Sequence, residues 1–230
     1  MKSTTRFTLK LHGVMLALAF LLAFSSAAAV SAENGDALPD TVSFGGLYWM
    51  VLTVEEDRAL ILSERALEFR MFHPLRDDVT WEQSELRDYL NNEFLYSNFT
   101  SAERQLILPA WITNEDNRWF GTSGGNDTLD YLFLLSIEEV TEFFGDSGQL
   151  GDRYHQDNFW WGIRDQYSPE RITRNPAGVM SWWWLRSPGN YNSGAVMVSP
   201  RGNVHVAGYN ELRGGAWIRP ALWLDLEALE

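Results

Sequence analysis

The chain has 230 residues, 18 basic and 31 acidic, with a formal charge of −13, eleven tryptophans and no cysteine. The lack of cysteine excludes a disulfide framework, a thiol nucleophile and a cysteine-ligated metal. The acidic balance argues against nucleic acid and anionic lipid as partners, because a long-range negative field repels both.

Lys2, Arg6 and Lys10 form a basic start, Val14 to Phe24 is an uncharged apolar run, and Val30-Ser31-Ala32 offers small residues to a signal peptidase. This pattern predicts a signal peptide over residues 1–32 and a secreted, extracellular product starting at Glu33. The apolar run falls short of the ~20 residues of a spanning helix, so no membrane attachment is expected after cleavage. Cleavage leaves 198 residues without a single lysine. It removes three basic and no acidic residues, taking the charge to −16. Residues 33–40, with Asn34-Gly35 and Pro39, read as a mobile leader. Residues 41–230 read as one domain, large enough to bury a full core.

Leu47 to Leu52 and Ala59 to Ser63 read as a strand pair around the polar turn Glu55-Glu56-Asp57. Thr80-Trp81-Glu82-Gln83 has capping-box spacing, with Ser84 as a competing cap, and Leu86, Leu90 and Phe94 then recur every four residues. Thr100 with Glu103 and Ser136 with Glu139 are two further boxes; the latter opens a helix through Val140 and Phe144 that Gly145 stops. Leu132 to Leu135 reads as a strand running into that cap. Ala195–Val198 and Asn203–Val206 read as a hairpin around Ser199-Pro200-Arg201-Gly202, and Ala216–Leu224 as a last strand that Pro220 bulges or holds at an edge. Strands, then two or three helices, then an irregular stretch, then strands is an α+β order. The first and last strands are expected to pair.

Chemistry is sparsely marked. His73, His155 and His205 are far apart and form no metal-binding spacing. Calcium is the metal best suited to the oxygen-rich clusters, with Asp116, Asn126, Asp127 and Asp130 as candidate ligands. The same residues serve turns by capping backbone N–H groups, and on that reading no cofactor is needed. No GxSxG elbow and no selected carboxylate pair is present, so no catalytic residue is assigned.

Thr80-Trp81-Glu82-x-Ser84-x-Leu86-Arg87-x-Tyr89-Leu90-Asn91 resembles a segment of the DUF6273 family, a bacterial domain of uncharacterised function. So do Gly124-Gly125-Asn126-Asp127-Thr128-x-Asp130-x-x-Phe133-Leu134-Leu135-Ser136, Trp183-Trp184-Leu185-Arg186-Ser187-Pro188-Gly189 and Arg219-Pro220-Ala221-Leu222-Trp223. Tyr89, Tyr131 and Ile218 depart from the tryptophan, lysine and valine common there. The family layout in turn resembles the broad C-type lectin-like fold, shared by formylglycine-generating enzymes. That resemblance implies paired terminal strands, two helices and an irregular half with a small second sheet. It implies no activity.

The matching residues Trp183, Trp184, Arg186 and Arg219 are expected to be structural. A buried arginine needs a carboxylate, for which Glu85, Asp88 and Asp130 are candidates. Trp160, Trp161, Trp182, Asn190, Tyr191, Asn192 and Arg213 sit in loop-like surroundings and are the candidate ligand-binding residues, since exposed indoles stack on flat groups and Arg and Asn donate to oxygens. The expected function is an exported, non-catalytic binding module for a glycan, peptide or protein. The alternatives are a carboxylate-dependent hydrolase of extracellular polymers and a structural envelope domain.

Overall fold

The computed structural model describes residues 41–74, 78–153, 162–210 and 214–229. The expected signal peptide and leader, His155, Trp160, Trp161 and Arg213 lie outside the described residues.

The chain opens with β1 (Thr41–Phe44), β2 (Leu47–Glu55) and β3 (Arg58–Ser63), an antiparallel meander. Gly45 and Gly46 join the first pair with φ of 60° and 70°, which a two-residue hairpin turn demands and glycine adopts without strain. A two-residue strand, β4 (Phe69–Arg70), follows. Ser84, and not Thr80, caps the next helix. Its Oγ accepts from Arg87 N at 3.1 Å, whereas Thr80 caps nothing and its hydroxyl is buried beneath Gly125. Trp81–Gln83 is therefore one 3₁₀ turn, α1 is Glu85–Tyr89, and a π turn over Leu90–Phe94 leads into α2 (Leu95–Asn98). Leu86, Leu90 and Phe94 are buried on one face, as their spacing requires. The two later capping boxes form as read, before α3 (Ser101–Gln105) and α4 (Ile137–Phe144). Between these helices lie β5 (Ile107–Leu108), β6 (Ala110–Ile112) and β7 (Thr128–Asp130).

The expected strand Leu132–Leu135 is a single bridge, Phe133 to Ala221. Its other carbonyls are claimed elsewhere: Leu135 O accepts from Arg186 N and Leu134 O from the Arg186 guanidinium. The late strands are β8 (Trp183–Pro188), β9 (Gly194–Val198), β10 (Val204–Asn210), β11 (Ala216–Trp217) and β12 (Ala221–Asp225). The expected single strand Ala216–Leu224 is thus two. Pro220 carries no N–H for a ladder, and the chain leaves one sheet there and enters another.

One sheet has the order β1-β2-β3-β12-β5, and the other β10-β9-β8-β11-β4. The expected pairing of first and last strands is corrected: β12 lies against β3, and β1 is at the far edge. The reason is burial. After Arg58, β3 is buried at every position, so it must be a central strand, and β12 covers its open side. The α+β assignment stands: helices and sheets share one hydrophobic core. No helix among the described residues is long and apolar enough to cross a membrane.

Strand β8 is buried on both faces. Consecutive indoles point to opposite sides of a strand, and each finds a backbone carbonyl for its N–H: Trp183 donates to Arg171 O at 3.1 Å and Trp184 to Arg70 O at 2.9 Å. The buried arginines find other partners than those expected. Arg186 pairs with Glu139, and Arg171 with Asp165. Arg219 has no carboxylate partner among the described residues. Its Nε donates to Ser63 O at 2.9 Å, its guanidinium lies 5.1 Å from the Trp183 ring centre, and burial pushes its pKa down to about 9.

Candidate functional site

Beside α4, three walls enclose an open cleft of about 640 Å³. The first wall is the face of β2, β3 and β12 on which Thr53, Leu60 and Trp223 stand in register. The second is the first turn and a half of α4, where Glu138 and Glu142, four residues apart, share a side. The third is β6 and its continuation. From Ala110 to Glu115 burial alternates residue by residue: Ala110, Ile112 and Asn114 are inside, while Trp111, Thr113 and Glu115 are outside and line the cleft. That is the period of an extended chain with one buried face.

Trp111 is 75% exposed, an unusual state for so large an apolar ring. Its cross-strand partner is Leu129, which is 50% exposed, and residues in register share a face. Trp111 lines the cleft, and Leu129 stands beside it on the same face of the ribbon as an apolar shelf.

The floor is Arg186. Its Nη2 donates to Glu139 Oε1 at 2.9 Å and to Thr113 O at 3.0 Å, and its Nη1 to Leu134 O at 2.7 Å. Glu139 also closes the α4 capping box, accepting from Ser136 N at 2.8 Å. One guanidinium therefore ties β8 to the start of α4 and to the end of β6, and so fixes how the second and third walls meet. Above it, Arg118 reaches Glu138 at 3.3 Å and Glu115 at 3.7 Å. Burial raises the Glu138 carboxyl above its ordinary value, and the neighbouring Glu115 charge adds to the shift against the pull of Arg118. Among the described residues Glu142 has no ion-pair partner. Arg58 is held by Glu55 at 2.7 Å and lies over the Trp223 ring, 4.2 Å from its centre.

Residues 56–226 match the model of a family described as a domain of unknown function, DUF6273. The chain belongs to this family. Neither a curated protein nor a solved structure matches it.

The motifs that resembled DUF6273 form the frame behind the cleft of this DUF6273 domain. Asp130 is buried and joins the first motif to the second: its carboxylate accepts from Trp81 Nε1, Arg87 Nε and Thr128 Oγ1. Asn91 adds a second link, its Oδ1 accepting from Tyr131 N and Leu132 N. Trp183, Trp184, Arg186 and Arg219 are all buried, as structural residues should be.

The candidate calcium ligands of the DUF6273 domain hold loops. Asp116 accepts from Gly124 N, Asp127 from Asn114 N, and Asn126 donates to Glu82. Among the described residues no group of three or more His, Asp or Glu could hold a metal ion. The candidate loop face divides. Trp182 precedes β8 and packs edge-on against His205 at 4.8 Å, while Asn190, Tyr191 and Asn192 follow the far end of that six-residue strand. At ~3.3 Å per residue the two groups stand about 20 Å apart along the chain. Tyr191 is 70% exposed, and Asn192 donates to Ser123 O.

Sequence reasoning missed Trp111, Glu115, Glu138 and Glu142. No signal marked the first two, since Ala110-Trp111-Ile112 is apolar throughout and Thr113-Asn114-Glu115 polar throughout, with no alternation of residue type. The second pair stands at positions 138 and 142 of a helix whose buried side was already legible.

Proposed function

We propose that this chain is an exported, non-catalytic binding module, built on a C-type lectin-like arrangement, whose ligand is a glycan seated in the α4 cleft. The observation that carries the reading is the Trp111 indole, held three-quarters exposed on a paired strand at the rim of a 640 Å³ cleft. An exposed aromatic face on rigid backbone costs solvation unless a flat ligand covers it, and a sugar ring presents such a face while its hydroxyls meet carboxylates. Export rests on the basic start, apolar run and small-residue site of residues 1–32. The lectin-like part is supported by the return of β12 to the N-terminal sheet and by the separate second sheet. The proposal needs no metal, nucleic acid or membrane. It seats the ligand in the cleft and not across the loop face, because Trp182 and Asn190–Asn192 are at opposite ends of β8.

The test is a titration of the purified protein with cell-wall and environmental oligosaccharides, followed by tryptophan fluorescence and calorimetry, with Trp111→Ala alongside. Saturable binding that the variant weakens by about tenfold or more supports the reading. Saturable binding that Trp111→Ala leaves unchanged removes the cleft from it, and no binding by the folded protein removes the reading itself.

A second reading, hydrolysis of a polymer, is favoured by one observation: Glu138 is a carboxyl with raised proton affinity in a cleft, joined through Arg118 to a second carboxyl, Glu115. Release of new reducing ends that Glu138→Gln abolishes would replace binding with catalysis.

A further inference from the structure

We infer that the cleft selects a cationic sugar polymer, an amino-sugar chain with free amines, over its neutral N-acetylated counterpart. The inference rests on the glycan reading above and names the class of glycan.

Charge in the cleft is unbalanced in a way the fold does not require. Five carboxylates line it, Glu55, Glu115, Glu138, Glu139 and Glu142, against the guanidiniums of Arg58 and Arg186. Both cations are already committed. Arg186 serves Glu139 and two backbone carbonyls, and Arg58 serves Glu55. Among the described residues the only further cation is Arg118, which is more than half exposed and shared at 3.3 and 3.7 Å between Glu138 and Glu115. At least two negative charges of the cleft therefore have no cation of their own. Glu138 and Glu142 are also one helical turn apart, an arrangement of like charges that destabilises an isolated helix. A soluble surface gains nothing from that repulsion inside a concave site, where low-dielectric walls strengthen it. An ammonium group arriving with the ligand would relieve it.

The shelf separates a sugar from a cationic peptide. Trp111, with Leu129 beside it on a two-stranded ribbon, presents an exposed indole in the same cleft as the carboxylates. A pyranose ring covers such a face while its substituent amines reach sideways, so one ligand uses both features at once. A lysine side chain needs the charge but not the shelf.

The test compares oligomers of glucosamine and of N-acetylglucosamine of equal length, with poly-lysine as a third titrant, on the purified protein at low and high salt. The free-amine oligomer is expected to bind at least about tenfold tighter than the acetylated one at low salt. That advantage should collapse at high salt and in the double variant Glu138→Gln, Glu142→Gln, which keeps side-chain shape and is checked for an unchanged circular dichroism spectrum. Trp111→Ala should weaken both oligomers. Equal affinity for the two oligomers overturns the inference and leaves the glycan reading standing, whereas binding of neither overturns both. Poly-lysine binding as tight as the amine oligomer, and unaffected by Trp111→Ala, assigns a cationic peptide and overturns the sugar.

Discussion

Trp81 Nε1 donates to Asp130 Oδ2 at 2.8 Å, joining residues 49 positions apart in a fully buried contact. Arg87 Nε reaches the other oxygen of the same carboxylate at 2.7 Å, and Thr128 Oγ1 adds a third donor at 2.8 Å. The first helical segment and the ribbon that carries Trp111 are held together at this point. Asp130→Ala would strand an indole N–H and a guanidinium together, so a loss of about 3 kcal/mol or more is expected in urea denaturation. Asp130→Asn keeps acceptor capacity and should lose less. Equal stability of the alanine variant and the parent would show that the network is not a support of the fold.

Gly202 tests the hairpin between β9 and β10. Its φ is +77°, and a Cβ there would sit 1.6 Å from Ser168 O, which is backbone and cannot swing aside. Gly202→Ala combines left-handed strain with a clash, and should cost more than about 3 kcal/mol. Gly46→Ala is the control. Its φ is also positive, but a Cβ meets nothing within 4 Å, so it should cost only about 1 kcal/mol.

Glu138 makes stability depend on pH in a defined direction. Its folded pKa is raised above the ordinary 4.5, mainly by burial. Between 4.5 and the folded value the native state holds more protons than the unfolded one, so stability falls as pH rises through that window. The penalty is complete above it and absent below 4.5. Glu138→Gln should therefore raise Tm at about pH 7 and change little at about pH 4. A Tm gain that is the same at both values would mean that ionisation of Glu138 is not the cause.

His205 works in the opposite sense. Burial beside Trp182 lowers its folded pKa below the ordinary 6.5. The unfolded chain then holds more protons between the folded value and 6.5, so stability rises with pH through that window and no penalty remains above it. His205→Gln should flatten the Tm profile just below pH 6.5 and leave it unchanged near about pH 8. An unaltered acid limb would exclude His205 as its source.

The sequence by itself determined the local punctuation of this protein. The caps at Thr100 and Ser136 were legible because both partners of each box lie within three residues, and the Leu86-Leu90-Phe94 face because one helical turn brings those side chains together. The strands of the β2–β3 hairpin, the β9–β10 hairpin and membership of DUF6273 were legible for the same reason, since each is carried by short contiguous runs.

Only the tertiary structure decided which indoles are buried, which carboxylate each arginine meets, and where a ligand could lie. Trp183 and Trp111 are the same side chain on short strands, yet one is sealed and the other exposed, because β8 has packed layers on both faces and the β6–β7 ribbon has one on a single face. Arg186 meets Glu139 across 47 residues, and Arg219 forms no ion pair among the described residues, feeling the Glu64 charge only at longer range. The cleft draws its walls from positions 53 to 223. Burial and pairing over such distances depend on how whole sheets and helices stack, and no local spacing encodes that.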